Sequence, residues 1–326
     1  MMHRFAFAVT LLLVWTAPAR GEWYAREEAI MATRIAVEVW HDDPAAATAA
    51  IDAVIAEMHR IDELMTVYKP ESQLSRVNRD AATAPVNVDP ELSGLISRAL
   101  EFSEMSAGAF DITYASVGYL YDYREHKHPT EAQIQAALPA VNWRHVVVNS
   151  SASTVRFLKP GVRIDLGGIA KGHAVDSSIA ILRARGITNA TVTAGGDSRI
   201  IGDRGGRPWI VGIRHPDDRN RVIARIPLED SAISTSGDYE RFFDEDGVRY
   251  HHIIDPKTGK SPHRVRSVTV IAPTSTIAEG LTKSVFIMGP ERGIALVETQ
   301  PDADAVVVTA EGKVIYSKGL EPPGKE

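Results

Sequence analysis

Arg163-Ile164-Asp165-Leu166-Gly167-Gly168-Ile169-Ala170-Lys171-Gly172-His173-Ala174-Val175-Asp176 is the stretch that joins a predicted strand to a predicted helix. The residues before it, from Val155 to Ile164, alternate loosely between apolar and polar, which is typical of a strand. Apolar residues after it recur at helical spacing, so we expect a helix that begins near Lys171 to His173 and ends at Gly186. The chain therefore changes from strand to helix at Gly167 and Gly168.

The glycine pair at this junction is compatible with two interpretations. Glycine lets the backbone approach a ligand closely, and free amides at a helix start, together with the helix dipole, favour an anion. Lys171 adds a positive charge and Asp165 adds a carboxylate, so one interpretation is a site for a phosphorylated ligand. The other interpretation is a tight turn without a ligand, which is the commoner use of such a corner.

The composition is that of an ordinary globular chain. Of 326 residues, 44% are hydrophobic and 24% are charged, which is enough for one large core or two smaller ones. The formal net charge of −6 argues against a nucleic-acid partner and against an anionic membrane surface. Since the sequence contains no cysteine, it excludes disulfides, thiolate metal sites, a thiol nucleophile and a lipid-modified cysteine.

The N-terminal segment has the features of a secretory signal peptide. Arg4 precedes an apolar run from Phe5 to Trp15, and Ala17-Pro18-Ala19 supplies small residues for cleavage. The run is too short to span a bilayer comfortably. We therefore expect residues 1–19 to be removed and the mature protein to be periplasmic, without a stable membrane anchor and without a lipid. The alternative is a buried N-terminal helix.

The remaining chain mixes strands and helices without regular alternation, and it contains no repeat and no long linker. This pattern predicts an α+β fold with mixed, mainly antiparallel sheets and packed helices in one domain over residues 20–320, followed by a disordered tail over 321–326. The predicted strands include 31–40, 190–194, 209–213, 222–226 and 265–272, and the predicted helices include 44–64, 89–105 and 275–286. Residues 72–78 are predicted to be a polar-rich turn.

Several turns combine glycine or hydroxyl groups with an acid or a base. They are Gly108–Asp111, Asp165–Lys171, Gly195–Asp197, Ser234–Asp238 and His251–Asp255. If these turns converge, they form a polar cleft over an apolar floor, as in many ligand sites. Taken singly, each is more often a turn whose polar groups satisfy one another.

Two neighbouring histidines contain a candidate general base. His252 lies beside the turn carboxylate Asp255, and a histidine in that setting can accept a proton near neutral pH. The alternative is a histidine that forms a hydrogen bond within a strand. Because side chains alternate along a strand, His251 and His252 point to opposite sides, so at most one of them faces a given cleft.

One predicted helix carries candidate metal ligands. Glu279, Thr282 and Lys283 are spaced three and four residues apart, so they share a face. The Glu279 carboxylate and the Thr282 hydroxyl are oxygen donors of the kind that Mg²⁺ prefers. The alternative is a surface Glu–Lys pair on the helix, with no metal.

Together these stretches resemble the ApbE family, FAD:protein FMN transferases, over the range from about Met31 to the hairpin near Tyr316. The motifs that carry the resemblance are Ser72-x-Leu-Ser-Arg-Val-Asn78, Gly108-Ala-Phe-Asp111, Asp165-Leu-Gly-Gly-Ile-Ala-Lys-Gly172, Ala194-Gly-Gly-Asp197, Ser234-Thr-Ser-Gly-Asp-Tyr-Glu-Arg241 and His252-Ile-Ile-Asp-Pro-x-Thr-Gly259. Because several distinct motifs occur in the family's order, the resemblance is more specific than any single glycine pair.

The resemblance implies an enzyme that cleaves FAD with the help of Mg²⁺. It would attach FMN through a phosphoester to a Thr or Ser hydroxyl of a redox protein, such as a respiratory or electron-transfer subunit, and release AMP. The positions that match FAD-binding residues are Met31, Tyr68, Ala109, Phe110, Asp111, Asp165, Lys171 and Ile253. His252 matches the histidine proposed to help deprotonate the acceptor. The positions that match the metal site are the Gly168 carbonyl, Glu279 and Lys283, with Thr282 as a neighbouring hydroxyl.

The sequence departs from the family pattern at the metal positions. The family usually has Asp where Glu279 stands and Thr where Lys283 stands. Glutamate can still bind Mg²⁺, but a protonated lysine cannot, because its ammonium has no lone pair. Two hypotheses follow. Either Lys283 turns away and water or Thr282 fills its place, or its ammonium replaces part of the metal's charge and the dependence on metal weakens.

Two other functions remain compatible with the same residues. One is hydrolysis of FAD to FMN and AMP, with water in place of the acceptor hydroxyl. The other is a non-catalytic flavin-binding accessory protein of an electron-transfer system.

Overall fold

The computed structural model describes residues 21–320, so the predicted signal peptide over residues 1–19 and the predicted tail over 321–326 lie outside the described residues. The strands are β1 (Glu22–Ile30), β2 (Thr33–His41), β3 (Val86–Asn87), β4 (Val146–Asn149), β5 (Thr154–Phe157), β6 (Ala190–Ala194), β7 (Asp197–Ile201), β8 (Trp209–His215), β9 (Asp218–Leu228), β10 (Ala232–Gly237), β11 (Phe242–Glu245), β12 (Val248–His251), β13 (Val265–Ala272), β14 (Asp304–Thr309) and β15 (Val314–Tyr316). The helices are α1 (Pro44–Met65), α2 (Gln73–Asp80), α3 (Pro90–Met105), α4 (Ala115–Gly118), α5 (Glu131–Ala137), α6 (Ala170–Ala184), α7 (Ser275–Met288) and α8 (Pro290–Val297).

One large sheet organises the chain. Its eight strands run in the order β1-β2-β6-β7-β10-β13-β14-β15, and each neighbouring pair is antiparallel. A small sheet, β3-β5-β4, and two separate hairpins, β8-β9 and β11-β12, are antiparallel as well. The α+β fold class with antiparallel sheets and packed helices is therefore confirmed.

The two faces of the large sheet are covered differently. Helices α1, α6 and α7 pack on one face, where alternate β2 residues such as Ile35 and Val37 join Met58 and Val285 in the main core. The β8-β9 hairpin covers part of the other face through Trp209. Within residues 21–320, no helix is both long and apolar enough to cross a bilayer.

Residues 72–78 form a helix, and the prediction of a polar-rich turn there is wrong. The Ser72 hydroxyl caps helix α2 by accepting a hydrogen bond from the Ser75 amide at 3.0 Å. Leu74 and Val77, three residues apart, bury the inner face of the helix, while Arg76 and Arg79 are exposed. One pair of apolar residues at helical spacing is too short a pattern to distinguish a helix from a loop.

Strand β1 was not predicted, because four of its nine residues are charged and three of these lie on the same side as the buried Ile30, which hides the apolar alternation. The strand lies at the edge of the sheet, where charged side chains are common. It joins β2 through the two-residue turn Met31-Ala32, where φ is 55° and 53°. Positive φ at both central positions is what a two-residue hairpin requires. This turn brings Met31 to the cavity described below.

The start of α6 lies against the start of α7 because Gly172 has no side chain. A Cβ atom at Gly172 would come within 2.5 Å of the Ser275 carbonyl oxygen. The Asp176 carboxylate of α6 then caps α7 by accepting hydrogen bonds from the amides of Ser275 and Thr276, both at 2.9 Å. The two helices are thereby fixed to each other at the end that carries the candidate site.

Candidate active site

A large cavity lies at the N-terminal end of α6, with a volume of about 1080 Å³. Its wall is formed by the β1-β2 and β6-β7 turns, by the tyrosine-rich segment that follows α3, and by the residues after β12. The sequence-predicted residues that line it are Met31, Tyr68, Phe110, Asp111, Asp165, Gly168, Lys171, His252 and Ile253. A cavity of this size can hold a ligand as large as a dinucleotide.

Three sequence-predicted residues do not line the cavity. Ala109 is buried beside Phe110, and Glu279 and Thr282 are wholly buried in α7 behind the cavity wall. Glu279 is therefore not part of a surface Glu–Lys pair, and that alternative is wrong.

The α6 start is less open to an anion than the glycine pair suggested. The amides of Ile169 and Ala170 donate to the Leu166 carbonyl at 2.9 and 2.7 Å. The Gly172 amide donates to Glu279 at 2.8 Å. These three amides already have partners within the protein, so the positive charge at this end of the cavity comes mainly from side chains.

Lys171 lies at the centre of a buried charge cluster. Its ammonium forms ion pairs with Asp197 and Glu279, whose side chains are 2% and 0% exposed. The Ser234 hydroxyl donates to Asp197 at 2.5 Å. Burial alone would lower the pKa of Lys171, but the two carboxylates outweigh it and raise that pKa above its ordinary value, so the lysine is firmly protonated.

A second lysine, Lys283, also reaches the cavity. Its ammonium donates to the Ser236 hydroxyl at 2.6 Å, and its stem packs against Gly168, where an added Cβ would lie 3.5 Å from Lys283 Cγ. Burial, followed by the nearby charge of Lys171, lowers the pKa of Lys283 from its ordinary value. This geometry does not support the hypothesis that Lys283 turns away from the predicted metal position.

Asp165 is held in place from three sides. Its carboxylate accepts hydrogen bonds from the Gly167 amide at 2.6 Å and from the Tyr114 hydroxyl. The Asn78 side chain bonds to both the N–H and the C=O of Ile164, at 2.7 and 2.9 Å, and so fixes the backbone next to Asp165. Burial raises the pKa of Asp165, against the effect of those two donors.

Asp111 is held at the opposite wall. It accepts hydrogen bonds from the Thr113 amide at 2.8 Å, the Thr113 hydroxyl at 2.6 Å and the Trp143 amide at 2.9 Å. Burial raises the pKa of Asp111, and these donors oppose the rise. The carboxylate thus orders the loop that presents Phe110 to the cavity.

The two adjacent histidines face different surroundings, as strand alternation predicted. His251 is fully buried, packs edge-to-face on Phe286 and contacts the Pro262 carbonyl through Nε2 at 2.8 Å. His252 lines the cavity. Its Nδ1 is buried and has no hydrogen-bond partner within residues 21–320. Of the two interpretations offered for the candidate base, a histidine with a structural hydrogen bond fits the side chain of His251 and not that of His252.

The pKa of His252 is lowered to about 3, first by burial and then by the charges of Lys283 and Arg241. Its imidazole is therefore neutral at neutral pH and has a lone pair available to accept a proton. An unpaired, buried nitrogen in a polar cavity is a feature of functional sites more often than of packed cores.

The predicted metal residues do not offer a set of free oxygen donors. Glu279 is engaged by Lys171 and the Gly172 amide, and the Thr282 hydroxyl donates to the Ala278 carbonyl at 2.5 Å. The remaining position carries the Lys283 ammonium. Among the residues that the structure describes, no group of three or more His, Asp or Glu side chains is placed to hold a metal ion. These residues do not fit a magnesium ion in the arrangement described.

Three positioning residues were given no individual role by the sequence, although the turn that contains Asp197 was predicted to line the cleft. Asn78 occurs in the Ser72–Asn78 motif, which was a signal, but its contact with Ile164 spans 86 residues. Asp197 ends the Gly195–Asp197 turn, and its pairing with Lys171 depends on the sheet. Asp176 closes the central stretch itself, yet its role as a cap for α7 can only be seen in three dimensions.

Comparison with known proteins agrees with this architecture. Residues 31–307 match the ApbE family, and the chain belongs to that family. It is 34% identical over 321 residues to a protein of Treponema pallidum named FAD:protein FMN transferase, covering 93% of this chain and 89% of the relative. A Vibrio cholerae protein of the same name is 33% identical over 281 residues, covering 84% of this chain and 83% of the relative.

Two solved structures share the fold along most of the chain. The ApbE protein from Thermotoga maritima superposes with a TM-score of 0.85 at 34% identity, covering 92% of this chain and 98% of that one. The flavin transferase ApbE from Vibrio cholerae superposes with a TM-score of 0.82 at 30% identity, covering 92% and 99%.

Proposed function

We propose that this chain transfers FMN from FAD to a protein. The acceptor is a Thr or Ser hydroxyl of a redox protein, such as a respiratory or electron-transfer subunit, and the product is a phosphoester with release of AMP. The observation that carries the proposal is the convergence of Asp165, Lys171 and His252 on one cavity large enough for a dinucleotide. Similarity to relatives named FAD:protein FMN transferase supports it.

The cavity provides for both halves of such a ligand. At its inner end the ammonium groups of Lys171 and Lys283 favour a diphosphate. Toward solvent, the exposed Tyr68 offers a flat face on which a ring system can stack. The buried Phe110 ring lies deeper in the cavity, beside Gly168. Asp165 and Asp111, held by backbone and hydroxyl donors, offer acceptors for N–H and O–H groups of the ligand.

The proposed reaction is a displacement at phosphorus. The acceptor oxygen forms a bond to the FMN phosphorus, the bond from that phosphorus to the bridging diphosphate oxygen breaks, and AMP leaves with the bonding electron pair. The hydroxyl proton passes to His252, which is neutral before the step. The bound diphosphate would offset the charges of Lys283 and Arg241 that lower the His252 pKa, so substrate makes His252 a better base.

Export stays a prediction, whereas the arrangement of the predicted metal residues does not support the magnesium dependence that the resemblance implies. The resemblance implies Mg²⁺ at Gly168, Glu279 and Thr282, where the bound ion would neutralise phosphate charge. Of these, Glu279 is already paired with Lys171. We further propose a periplasmic location, on the basis of the signal-peptide features of residues 1–19. The absence of cysteine leaves no residue for a lipid anchor.

The test is intact-mass spectrometry of a candidate redox acceptor after incubation with the purified chain and FAD. We expect a mass gain equal to one FMN, an equal yield of AMP, and a fluorescent acceptor band on a denaturing gel. AMP without a modified acceptor, for every candidate with an accessible Thr or Ser, would favour FAD hydrolysis. A yellow protein that releases no AMP would favour the non-catalytic accessory role.

A further inference from the structure

The two lysines of the cavity differ in how their charges are compensated. Lys171 is paired with two buried carboxylates. Within the described residues Lys283 forms no ion pair, and its hydrogen bond goes to the neutral Ser236 hydroxyl. A buried cation without a counter-ion is unfavourable, and it is most readily explained where an anionic ligand completes the pairing.

The place that Lys283 occupies is one where the family pattern has a metal-binding threonine. The Lys283 stem lies over Gly168, whose carbonyl matches a metal ligand, and Glu279 lies one turn earlier on the same helix. Both carboxylate oxygens of Glu279 already have partners, one the Lys171 ammonium and the other the Gly172 amide. The ammonium of Lys283 repels a divalent cation at this place, and the carboxylate of Glu279 is already paired with Lys171. Both features therefore disfavour a metal ion between Gly168 and Glu279.

We propose that the ammonium of Lys283 takes the place of the divalent cation in this chain, so that FAD binds and its diphosphate is cleaved without Mg²⁺. This inference rests on the proposed function, whose reaction step it leaves unchanged. In this step Lys283 donates hydrogen bonds to phosphate oxygens and transfers no proton.

The charges support this exchange. Lys171, Lys283, Asp197 and Glu279 carry formal charges that cancel, so the cluster is neutral before substrate arrives. The Lys283 ammonium has no direct ion pair and faces the cavity, where a diphosphate oxygen can replace the Ser236 hydroxyl as its partner. The charge of a lysine is available at every metal concentration, whereas the occupancy of a metal site depends on the concentration of the free ion.

Three variants of the full chain test the proposal. Lys283→Met keeps the length of the side chain but removes its charge, Lys283→Arg keeps the charge, and Lys283→Thr restores the family pattern. FAD affinity is measured by flavin-fluorescence titration in EDTA and in excess MgCl₂. Binding of Mn²⁺, as a spectroscopic substitute for Mg²⁺, is measured by electron paramagnetic resonance with and without FAD.

For the wild-type chain we expect the same FAD affinity in EDTA and in MgCl₂, and no Mn²⁺ held at the site. Lys283→Met should bind FAD about ten- to a hundredfold more weakly in EDTA, as expected for the loss of a charged hydrogen bond. Lys283→Arg should retain most of the affinity. Lys283→Thr should bind Mn²⁺ and recover FAD affinity when MgCl₂ is added.

Two results would overturn the proposal. One is stoichiometric Mn²⁺ binding to the wild-type chain that is lost in Glu279→Gln. The other is a wild-type FAD affinity that collapses in EDTA while Lys283→Met has no effect. Neither readout requires transfer, so a chain that binds FAD independently of metal but yields neither AMP nor modified acceptor would sink the proposed function and leave this inference standing. The Mn²⁺ readout on the apoprotein decides the metal question even if FAD does not bind.

Discussion

The two ends of the cavity are built on opposite principles. The inner end is lined by Lys171, Asp197 and Lys283, and Glu279 lies behind it; we call these four residues the floor, in which both carboxylates are buried and ion-paired. The outer end, the mouth, carries Tyr68 and Tyr119, which are 81% and 56% exposed. Changing the floor should affect stability and function together, because its charges depend on one another. Changing the mouth should affect ligand affinity alone.

The largest effect is expected for Lys171→Met at the floor. The substitution leaves Asp197 and Glu279 buried without their cation, which should lower the free energy of unfolding by roughly 3–5 kcal/mol and eliminate transfer. Urea unfolding and the acceptor mass assay measure the two effects. Lys313→Met, at an exposed lysine, is the matched control. A Lys171→Met chain as stable as wild type would mean that the floor is not a coupled unit.

His252→Ala should slow the transfer step without weakening FAD binding. Removing the proposed base should slow transfer by about 10²–10⁴-fold. FAD should still bind, since the floor and the mouth remain intact. Single-turnover transfer and flavin-fluorescence titration on the same preparation provide the two measurements, with His251→Gln as the neighbouring control. An unchanged transfer rate would remove His252 from the mechanism.

Acid should act on the fold through both histidines. Burial lowers the pKa of His251 to about 4, and burial with nearby cations lowers that of His252 to about 3, from about 6.5 when unfolded. The unfolded chain therefore binds protons first as the pH falls below 6.5. Stability is fully present above that pH and declines until the pH passes the folded values, by roughly 3 kcal/mol for His251.

Denaturation midpoints measured at several pH values between 7 and 4 give this dependence of stability on pH. His251→Gln, which can still donate to the Pro262 carbonyl, should flatten part of it. An identical pH dependence in wild type and variant would show that His251 takes up no extra proton on unfolding.

Asp165→Ala should weaken FAD binding by about ten- to a hundredfold, because a ligand donor loses a charged acceptor. The fold should survive, since Asn78 holds the adjacent backbone through Ile164 rather than through Asp165. Flavin-fluorescence titration measures the affinity and thermal unfolding serves as the control. Retained affinity would argue against a contact between Asp165 and FAD.

The smallest effect is expected at the mouth. Tyr68→Ala should lower FAD affinity by about 0.5–1.5 kcal/mol through loss of ring stacking, and Tyr68→Phe should leave affinity nearly unchanged. Neither should alter the unfolding midpoint, because the side chain is mostly exposed. A shift in stability in either variant would contradict the contrast between mouth and floor.

The sequence predicts the position of the site better than its internal contacts. The helix that starts near Lys171 and the helix that carries Glu279 are local patterns, and both were predicted from spacing. The strand predicted over 155–164 is wrong beyond Phe157, where β5 ends, and residues 162–166 lead into the corner without regular structure. The partners of Lys171 come from residues 26 and 108 positions away, so no local pattern can specify them. The same limit applies to α2, which consists of two turns with a strong cap but only a short apolar stripe.

The cap that Asp176 places on α7 affects how a ligand can enter the cavity. The same carboxylate also accepts a hydrogen bond from Arg199 at 2.7 Å, so α6, α7 and β7 are bound together at one point. Lys171 and Lys283 stand on the two helices joined there, so the backbones that carry them cannot move apart unless this junction breaks. We therefore expect the floor to stay fixed and a nucleotide to enter past Tyr68 and Tyr119, on the solvent side.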